Sequence, residues 1–591
     1  MSYTVVGWSW RWCLSLGIIG ACMFVAFKVL DFLWWRPKRL EEHFARQGIR
    51  GPPYRFFVGC VKEMVGLMFD ASSKPMMPQT SHNILPRVLS FYHHWKKIYG
   101  TCSSSSSSCH GGLYPDLIRE IFLSRSDVFE RYESHPLVRQ LEGKHLIPFL
   151  FDCKFDTFSG SSRLATNLTL ALDQLLIPFI GKTVLDMVEK LPTSGEEVEI
   201  DVSEWFQTVT EDTITRTAFG RSYDDGKAVF QLQAQQMVFA AEAFRKVFIP
   251  GYRFLPTKKN TNSWKLEKEI KRSLIRLIGR RKERLGEEGK PDGSVKDLLG
   301  LMIDASASKQ GAGQAASPKP PVSSPPSTIT VRDIVEECKT FFFAGKQTTS
   351  NLLTWTTVLL AMHPEWQERA RAEVLRVCGA RDLPTRDHLA KLKTVLPPIC
   401  PSLSRPSVGV IRSISKFYVP PSSFLRLAYF AQLGMILNET LRLYPPAVAT
   451  IRRAKAEVEL SGYHIPRGTE LLIPIMAVHH DARLWGPDVT QFNPARFADG
   501  ASRAARHPTA FIPFGLGPRM CIGQNLALLE AKLTVAVLLQ RFAFRLSPSY
   551  VHAPTVLMLL YPQYGAPILF RPIPPPSDSS TTATTHTQSF S

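Results

Sequence analysis

From Cys13 to Phe27 the chain carries no charge, and after Lys28 and Asp31 apolar residues resume and end at Trp35. Roughly 17–25 apolar residues cross a bilayer, so Trp12 to Trp35 is long enough to span one. Lys28 and Asp31 lie three apart on one helix face, where they can pair or reach the interface. Trp8, Trp10, Trp34 and Trp35 fall at the two edges, as membrane-interface aromatics do. Arg36, Lys38 and Arg39 follow at once and predict that the remainder lies on the cytosolic side. Those charges, with no small-residue cleavage site, favour a retained anchor over a cleaved signal. Gly48 to Tyr54, with Gly51, Pro52 and Pro53, breaks helices and reads as a stiff hinge.

Helical periodicity dominates the middle of the chain. A long helix is predicted to begin near Val331, with Thr330 as cap and Asp333 in its first turn, and to run to His363. Pro364 forces a restart there. About 32 residues span roughly 48 Å, enough to cross a whole domain. A second amphipathic helix is marked by Leu526, Leu529, Leu533 and Val537, and a third by the apolar positions of Gly434–Pro446. Short β-like runs occur at Val458–Ile465 and Glu470–Pro474. Gly311–Ser327 reads as an Ala/Pro/Ser surface loop, and Pro572–Ser591 as a disordered tail. The fold class expected is mainly α with a small β-rich region, without internal repeats.

Composition changes this picture only in part. At 591 residues and 44% hydrophobic the chain can bury a substantial core. The formal net charge is +20, yet the densest basic run, Lys258 to Lys290, interleaves Glu267, Glu269, Glu283 and Glu287 at helical spacing. That is a solvated helix face rather than a nucleic-acid arm. A basic surface suits anionic lipid and an acidic electron-donor protein. The ten cysteines have no metal-ligand spacing, and Cys102 and Cys109 flank a serine tract, which points to free thiols in a reducing compartment. On a cytosolic face the sequons at Asn167 and Asn438 are coincidental.

The densest chemistry is Phe514-Gly-Leu-Gly517-Pro-Arg519-Met-Cys521-Ile-Gly523, immediately before the amphipathic segment. One cysteine in a glycine-punctuated bend stands at a helix N-terminus, where backbone N–H groups and the macrodipole favour a thiolate. Gly517 and Gly523 permit tight turning and close backbone approach to a flat partner. Phe514 is placed to shield the sulfur and Arg519 to pair with an acidic group. The stretch resembles the haem-binding loop of the cytochrome P-450 monooxygenases, Phe-x-x-Gly-x-Arg-x-Cys-x-Gly, at all five fixed positions.

The resemblance extends along the chain. Ala344-Gly345-Lys346-Gln347-Thr348-Thr349 is similar to the oxygen-binding kink of that family's central helix. Gly345 weakens the helix and the Thr348 hydroxyl competes for a backbone carbonyl. The resemblance implies that Ala344 and Gly345 leave room for dioxygen and that Thr348 helps deliver protons. Gln347 stands where the family often has a carboxylate, and an amide orients water but cannot act as an acid relay. Glu439 and Arg442 match the family's Glu-x-x-Arg helix, with Arg496 in Phe492-Asn-Pro-Ala-Arg-Phe497 as third partner, a structural support for the haem pocket. Arg452 matches a propionate contact, and Ala447, Val448, Ala449 and Thr450 then lie near substrate.

Phe341–Ser350, Met362–Trp366, Val478–Asp481 and Tyr92–Lys97 resemble more closely the plant hydroxylases that inactivate brassinosteroids at side-chain carbon 26. The implied cofactors are haem b and electrons from NADPH through a reductase, cytochrome P-450 reductase. The implied setting is an endoplasmic reticulum anchor, a cytosolic catalytic domain and a hydrophobic substrate. Domain expectations are an anchor over residues 1–35, a hinge over 36–55, a monooxygenase domain over 56–572 and a tail over 573–591. Three segments depart from the pattern: residues 101–111, residues 145–178, which lack a Trp-x-x-x-Arg helix, and residues 395–432. The last interrupts a join from Thr394 to Leu433 and is read as a retained intron, since valine codons begin GT and glutamine can be CAG. The competing readings are a non-oxidative haem-thiolate isomerase or dehydratase, and a non-catalytic product of a faulty gene model.

Overall fold

The computed structural model describes residues 3–56, 59–76, 78, 81–100, 114–131, 177–191, 196–244, 255–287, 297–307, 330–392 and 432–574. The serine tract, residues 145–176, the Ala/Pro/Ser loop, residues 395–431 and the tail beyond 574 lie outside them. Two compact units form, one from residues 1–75, 83–133 and 448–477, the other from 76–82, 134–447 and 478–591.

In chain order the main helices begin with α1 (Tyr3–Leu30), α2 (Arg36–Arg46), α3 (Val61–Ser72) and α4 (Ser90–Tyr99). Strands β1 (Phe129–Arg131) and β2 (Val198–Asp201) precede α5 (Val202–Phe219) and α6 (Tyr223–Phe244). Then come α7 (Lys258–Glu287), α8 (Leu298–Ala307), α9 (Val331–Met362), α10 (Pro364–Cys378) and α11 (Gln432–Leu443). Strands β3 (Thr450–Ala454), β4 (Val458–Leu460), β5 (Tyr463–Ile465) and β6 (Glu470–Ile473) lead to α12 (Gln524–Arg541). The chain closes with β7 (Phe542–Leu546), β8 (Pro554–Val556), β9 (Leu560–Pro562) and β10 (Pro567–Pro572).

In the first unit, α1 passes through a π-helical turn at Asp31–Trp35 into α2, so Trp12–Arg46 is one helix. Its best window has mean hydropathy 2.2, enough by length and composition to cross a membrane. Asp31 pairs with Arg39 at 2.6 Å rather than with Lys28, whose ammonium lies 5.5 Å over the Phe24 ring. Arg39 is about two turns further on, a position its long guanidinium can reach from. Strands β1, β3 and β6 form an antiparallel sheet with β3 in the centre. The β4–β5 hairpin turns at Ser461 and Gly462, whose φ values of 49° and 80° suit a two-residue turn.

In the second unit α9 forms the core. Thr330 and Asp333 make a reciprocal capping box, and helix ends at Met362 because His363 caps it before Pro364. Its 32 residues pack against α5, α7, α8, α10, α11 and α12, and every residue from Thr349 to Leu360 is buried. A sheet in the order β2-β10-β7 and the β8–β9 hairpin complete the unit. The basic run is α7, where Lys271 pairs with Glu267 at 2.7 Å and Arg276 with Glu269 at 3.2 Å.

A buried row of rings fixes the end of α9. Tyr444 stacks on Trp355 at 4.4 Å and bonds His82 Nδ1 at 2.8 Å and His552 Nε2 at 3.1 Å. His552 Nδ1 meets Tyr550 at 2.7 Å, and His82 Nε2 meets His363 Nε2 at 3.2 Å. His363 Nδ1 faces the Glu365 carboxylate at 3.4 Å. With neutral rings, a carboxylate at that end fixes the direction of every bond. His363 donates to Glu365, His82 to His363, Tyr444 to His82, His552 to Tyr444 and Tyr550 to His552. An extra proton would oppose two donors somewhere along the row.

Buried histidines, in this row and at 479 and 480, and two buried acids make stability bell-shaped in pH. Burial, with His363, His552 and Arg442 nearby, depresses His82 to about 3; burial and Arg442 do the same to His479 and His480. Groups depressed in the fold contribute fully above their unfolded value of 6.5, and that contribution is lost as pH falls. Burial instead lifts Glu373 to about 7 and Glu530 to about 8. Their contribution is complete below the unfolded value of 4.5 and is lost as pH rises through 7 and 8. Thermal midpoints of the solubilised protein should therefore peak between about pH 6 and 7 and fall on both sides. A maximum in alkaline solution would contradict these assignments.

Candidate active site

The Cys521 loop is built by two turns. Ile512 O accepts from Gly515 N at 3.1 Å, and residues Gly517–Arg519 form a 3₁₀ turn closed by Met520 N on Gly517 O at 3.0 Å. Gly515 and Gly517 have φ of 76° and 73°, a conformation side chains resist. Cys521 N then donates to Phe514 O at 2.8 Å, which brings Phe514 back beside the thiol residue. Gly523 has an ordinary φ of −83°, so turning does not require glycine there. Its value is proximity: a Cβ at 523 would lie 3.9 Å from Cys521 Sγ, and its amide hydrogen-bonds the sulfur. Gly515 carries the turn that periodicity alone does not mark.

Burial raises the Cys521 thiol above its ordinary value, and the Gly523 amide only partly opposes this. Desolvation by the surrounding protein thus opposes the thiolate that a helix N-terminus is expected to favour. Yet the Cys521 side chain remains accessible, unlike the buried Cys338 and Cys378. Met520 and Ile522 beside it keep 52% and 51% of their surface, which gives the thiol an apolar, open surround.

The central motif sits at a break in the burial of α9. Ala344 is exposed and the rest of Phe343 to Thr348 only partly buried, between a buried Phe342 and the buried run from Thr349. The first turns of α12 likewise lie open until Glu530, although the two helices pack together. Thr348 Oγ donates to Ala344 O at 2.6 Å, as expected, but the helix runs unbroken. The predicted opening is thus reduced to one hydroxyl on one carbonyl. Gly345 serves close packing: a Cβ there would come 2.7 Å from Ile214 Cδ1 on α5. Lys346 pairs with Glu211 on the same helix. Gln347 Nε2 donates to Asn351 Oδ1 at 3.3 Å, so its amide is already held.

The structure brings Glu439, Arg442 and Arg496 together. Arg442 and Glu439 are fully buried and make a bidentate pair at 2.8 and 2.7 Å. Arg442 Nη1 also donates to His479 O at 3.0 Å and Val489 O at 2.8 Å. Arg496 Nε lies 3.5 Å from Glu439, but its firmer bonds go to Trp485 O at 2.9 Å and Asp488 O at 2.6 Å. Asn493 N donates to Glu439 at 3.0 Å, tying the loop backbone to the same carboxylate. Glu373 on α10 accepts from Gln432 N at 3.2 Å and Leu433 N at 2.9 Å, so a distant carboxylate caps α11.

Other candidates are placed as follows. Ala447 closes one segment of the second unit, whereas Val448, Ala449, Thr450 and Arg452 belong to the first. Val448 is buried and its carbonyl accepts from Met476 N at 2.9 Å. Arg452 is buried on β3, 4.6 Å over the Phe122 ring, and donates to Thr450 Oγ at 3.0 Å. Arg519 is half-buried in the 3₁₀ turn before Cys521.

The residues present fit a planar iron macrocycle. A soft sulfur donor is accessible in an apolar surround, and two packed helices both lose burial at the motif and near the sulfur. The sequence profile of the family described as cytochrome P-450 matches residues 101–396 and 428–566, leaving 397–427 outside. Cytochrome P-450 734A6 of Oryza sativa subsp. japonica is 63% identical over 579 residues, covering 96% of this chain and 97% of its own. Cytochrome P-450 734A1 of Arabidopsis thaliana is 56% identical over 563 residues, covering 93% and 94%. The crystal structure of the cytochrome P-450DA haem domain superposes with TM-score 0.60 at 22% identity, covering 89% of this chain and 98% of that one.

Proposed function

The chain belongs to the cytochrome P-450 family, and from that membership we propose that it hydroxylates brassinosteroids at side-chain carbon 26, inactivating the hormone. It is a haem-thiolate monooxygenase of hydrophobic substrates, using haem b and electrons delivered from NADPH through a reductase. The observation that carries the site is the accessible Cys521 thiol inside a loop with all five family positions filled.

Cys521 would hold the haem iron through its sulfur in this reading, and its thiol would give up a proton to do so. When bound, the haem supplies dioxygen activation, which thiolate ligation promotes. The Gly523 amide stabilises the sulfur's negative charge, and Phe514 excludes water from it. Arg519 and Arg452 are assigned to the propionates by resemblance. Ala344 keeps the distal helix face low, and the Ile214 contact of Gly345 holds that face in place. Thr348 holds a proton on Oγ and can turn it from Ala344 O toward the reacting centre. Gln347, bonded to Asn351, keeps that face polar without supplying an acid. Ala447 to Thr450 are assigned to the substrate side.

Residues 1–35 are the anchor and 56–572 the catalytic domain, with the domain facing the cytosol from the endoplasmic reticulum; of the hinge expected over 36–55, residues 36–46 continue the helix and 47–55 are left to bend. The electron donor is NADPH–cytochrome P-450 reductase. Residues 395–432 are an insertion; the unmatched stretch at 397–427 supports this. The enzyme reconstituted with reductase, NADPH and a brassinosteroid should give a product one oxygen heavier, hydroxylated at carbon 26. Hydroxylation elsewhere would overturn the regiochemistry, and turnover without NADPH would overturn the monooxygenase reading.

A further inference from the structure

Within the first unit, Arg453, Lys455 and Arg467 line one cavity of about 310 Å3 with Glu130, Ala454 and Gly468. Backbone bonds hold its walls. Lys455 N donates to Val128 O at 2.9 Å, Gly468 N to Ala454 O at 2.8 Å, and Ala454 N to Thr469 O at 3.0 Å. Glu130 lies opposite Arg453 in the β1–β3 register. Gly468 has φ of 84°, and a Cβ there would lie 3.4 Å from Arg36 Nη2, so Arg36 reaches the same turn. Arg36 is the first residue of α2, directly after the apolar stretch.

Neighbouring cations are satisfied: Lys38 pairs with Glu41 at 2.9 Å, Arg39 with Asp31 at 2.6 Å and Arg125 with Glu120 at 3.1 Å. Among the described residues, Arg36, Arg453, Lys455 and Arg467 have no carboxylate at ion-pair distance. Glu130 and Glu470 stand opposite Arg453 in β1 and β6, and Glu130 is the one acid that lines the cavity beside Arg453, Lys455 and Arg467. Gathering like charges around one concavity is unfavourable unless an anion shares them.

The cavity is also tied to the anchor. Gln47, at the C-terminal end of α2, donates to His464 O at 3.1 Å and accepts from His464 N at 2.7 Å. His43 bonds the same carbonyl at 2.9 Å. These bonds join the β4–β5 hairpin to the end of that helix. We propose that Arg36, Arg453, Lys455 and Arg467 form a binding site for the phosphate headgroup of an anionic phospholipid. This rests on reading α1 as a membrane anchor, since Arg36 then stands at headgroup depth and places the cavity beside it.

Full-length enzyme is reconstituted in phosphatidylcholine nanodiscs with or without phosphatidic acid, and retained lipid is counted by native mass spectrometry. Wild type should retain phosphatidic acid preferentially, and the triple variant Arg453→Ala, Lys455→Ala, Arg467→Ala should lose about tenfold or more of that preference. The charge-keeping variant Arg453→Lys, Lys455→Arg, Arg467→Lys should keep it, which separates a binding defect from misfolding. Equal retention by wild type and the triple variant would overturn the site. Displacement of the lipid by equimolar inorganic phosphate would overturn the lipid assignment in favour of a soluble phosphate. Release of wild type from the membrane by alkaline carbonate would instead refute the anchor.

Discussion

Cys521→Ser is expected to abolish hydroxylation completely while leaving the helical fold in place. The serine fits the loop, because the bend is made by Gly515 and Gly517 and by the Cys521 N to Phe514 O bond, none of which needs sulfur. What disappears is the soft anionic ligand. An alkoxide is unavailable at neutral pH, and a neutral hydroxyl gives iron little electron density. Far-ultraviolet dichroism should match wild type, and turnover should vanish. Retention of thiolate-type absorption in the variant would show that another cysteine binds the iron. Cys338 and Cys378 are buried, and burial holds their thiols up at about 12 and about 11, so neither is a substitute.

Arg442→Ala is expected to destabilise the second unit by about 3–5 kcal/mol, a large fraction of the roughly 5–15 kcal/mol net stability of a domain. The mutation removes a bidentate partner and leaves the Glu439 carboxylate fully buried, 3.5 Å from the Arg496 Nε that cannot replace both bonds. The carbonyls of His479 and Val489 lose a donor as well. Soluble, haem-loaded yield and thermal midpoint measure the loss. The double change Glu439→Leu, Arg442→Leu should be milder than Arg442→Ala, because it leaves no buried charge behind. A double variant as damaged as the sum of the singles would show that the pair acts through packing alone.

These interactions differ in how far the sequence reveals them. The α9 capping box spans Thr330 to Asp333 and Arg442 lies three residues from Glu439, so short-range rules find both. The β4–β5 hairpin is local too, yet Val458–Ile465 reads as one β-like run and the turn at Ser461 and Gly462 is found only in the fold. Gly345 is different. It reads as a helix-weakening residue, and only the approach of Ile214 from α5 shows that the missing Cβ serves packing. Glu373 capping α11, Lys346 meeting Glu211, and His82 joining Tyr444 and His552 are also long-range facts. Nothing in local spacing announces such partners. The raised Cys521 thiol is a matter of desolvation, which depends on the whole surrounding fold rather than on the helix that follows it.

The decisive measurement is the reduced carbon-monoxide difference spectrum of the full-length expressed protein. Iron held by the sulfur at position 521 gives the strongly red-shifted Soret band of thiolate ligation, and that band should be absent from Cys521→Ser. Wild-type protein that takes up no haem, or whose carbon-monoxide complex absorbs as an imidazole-ligated haem, would contradict the account.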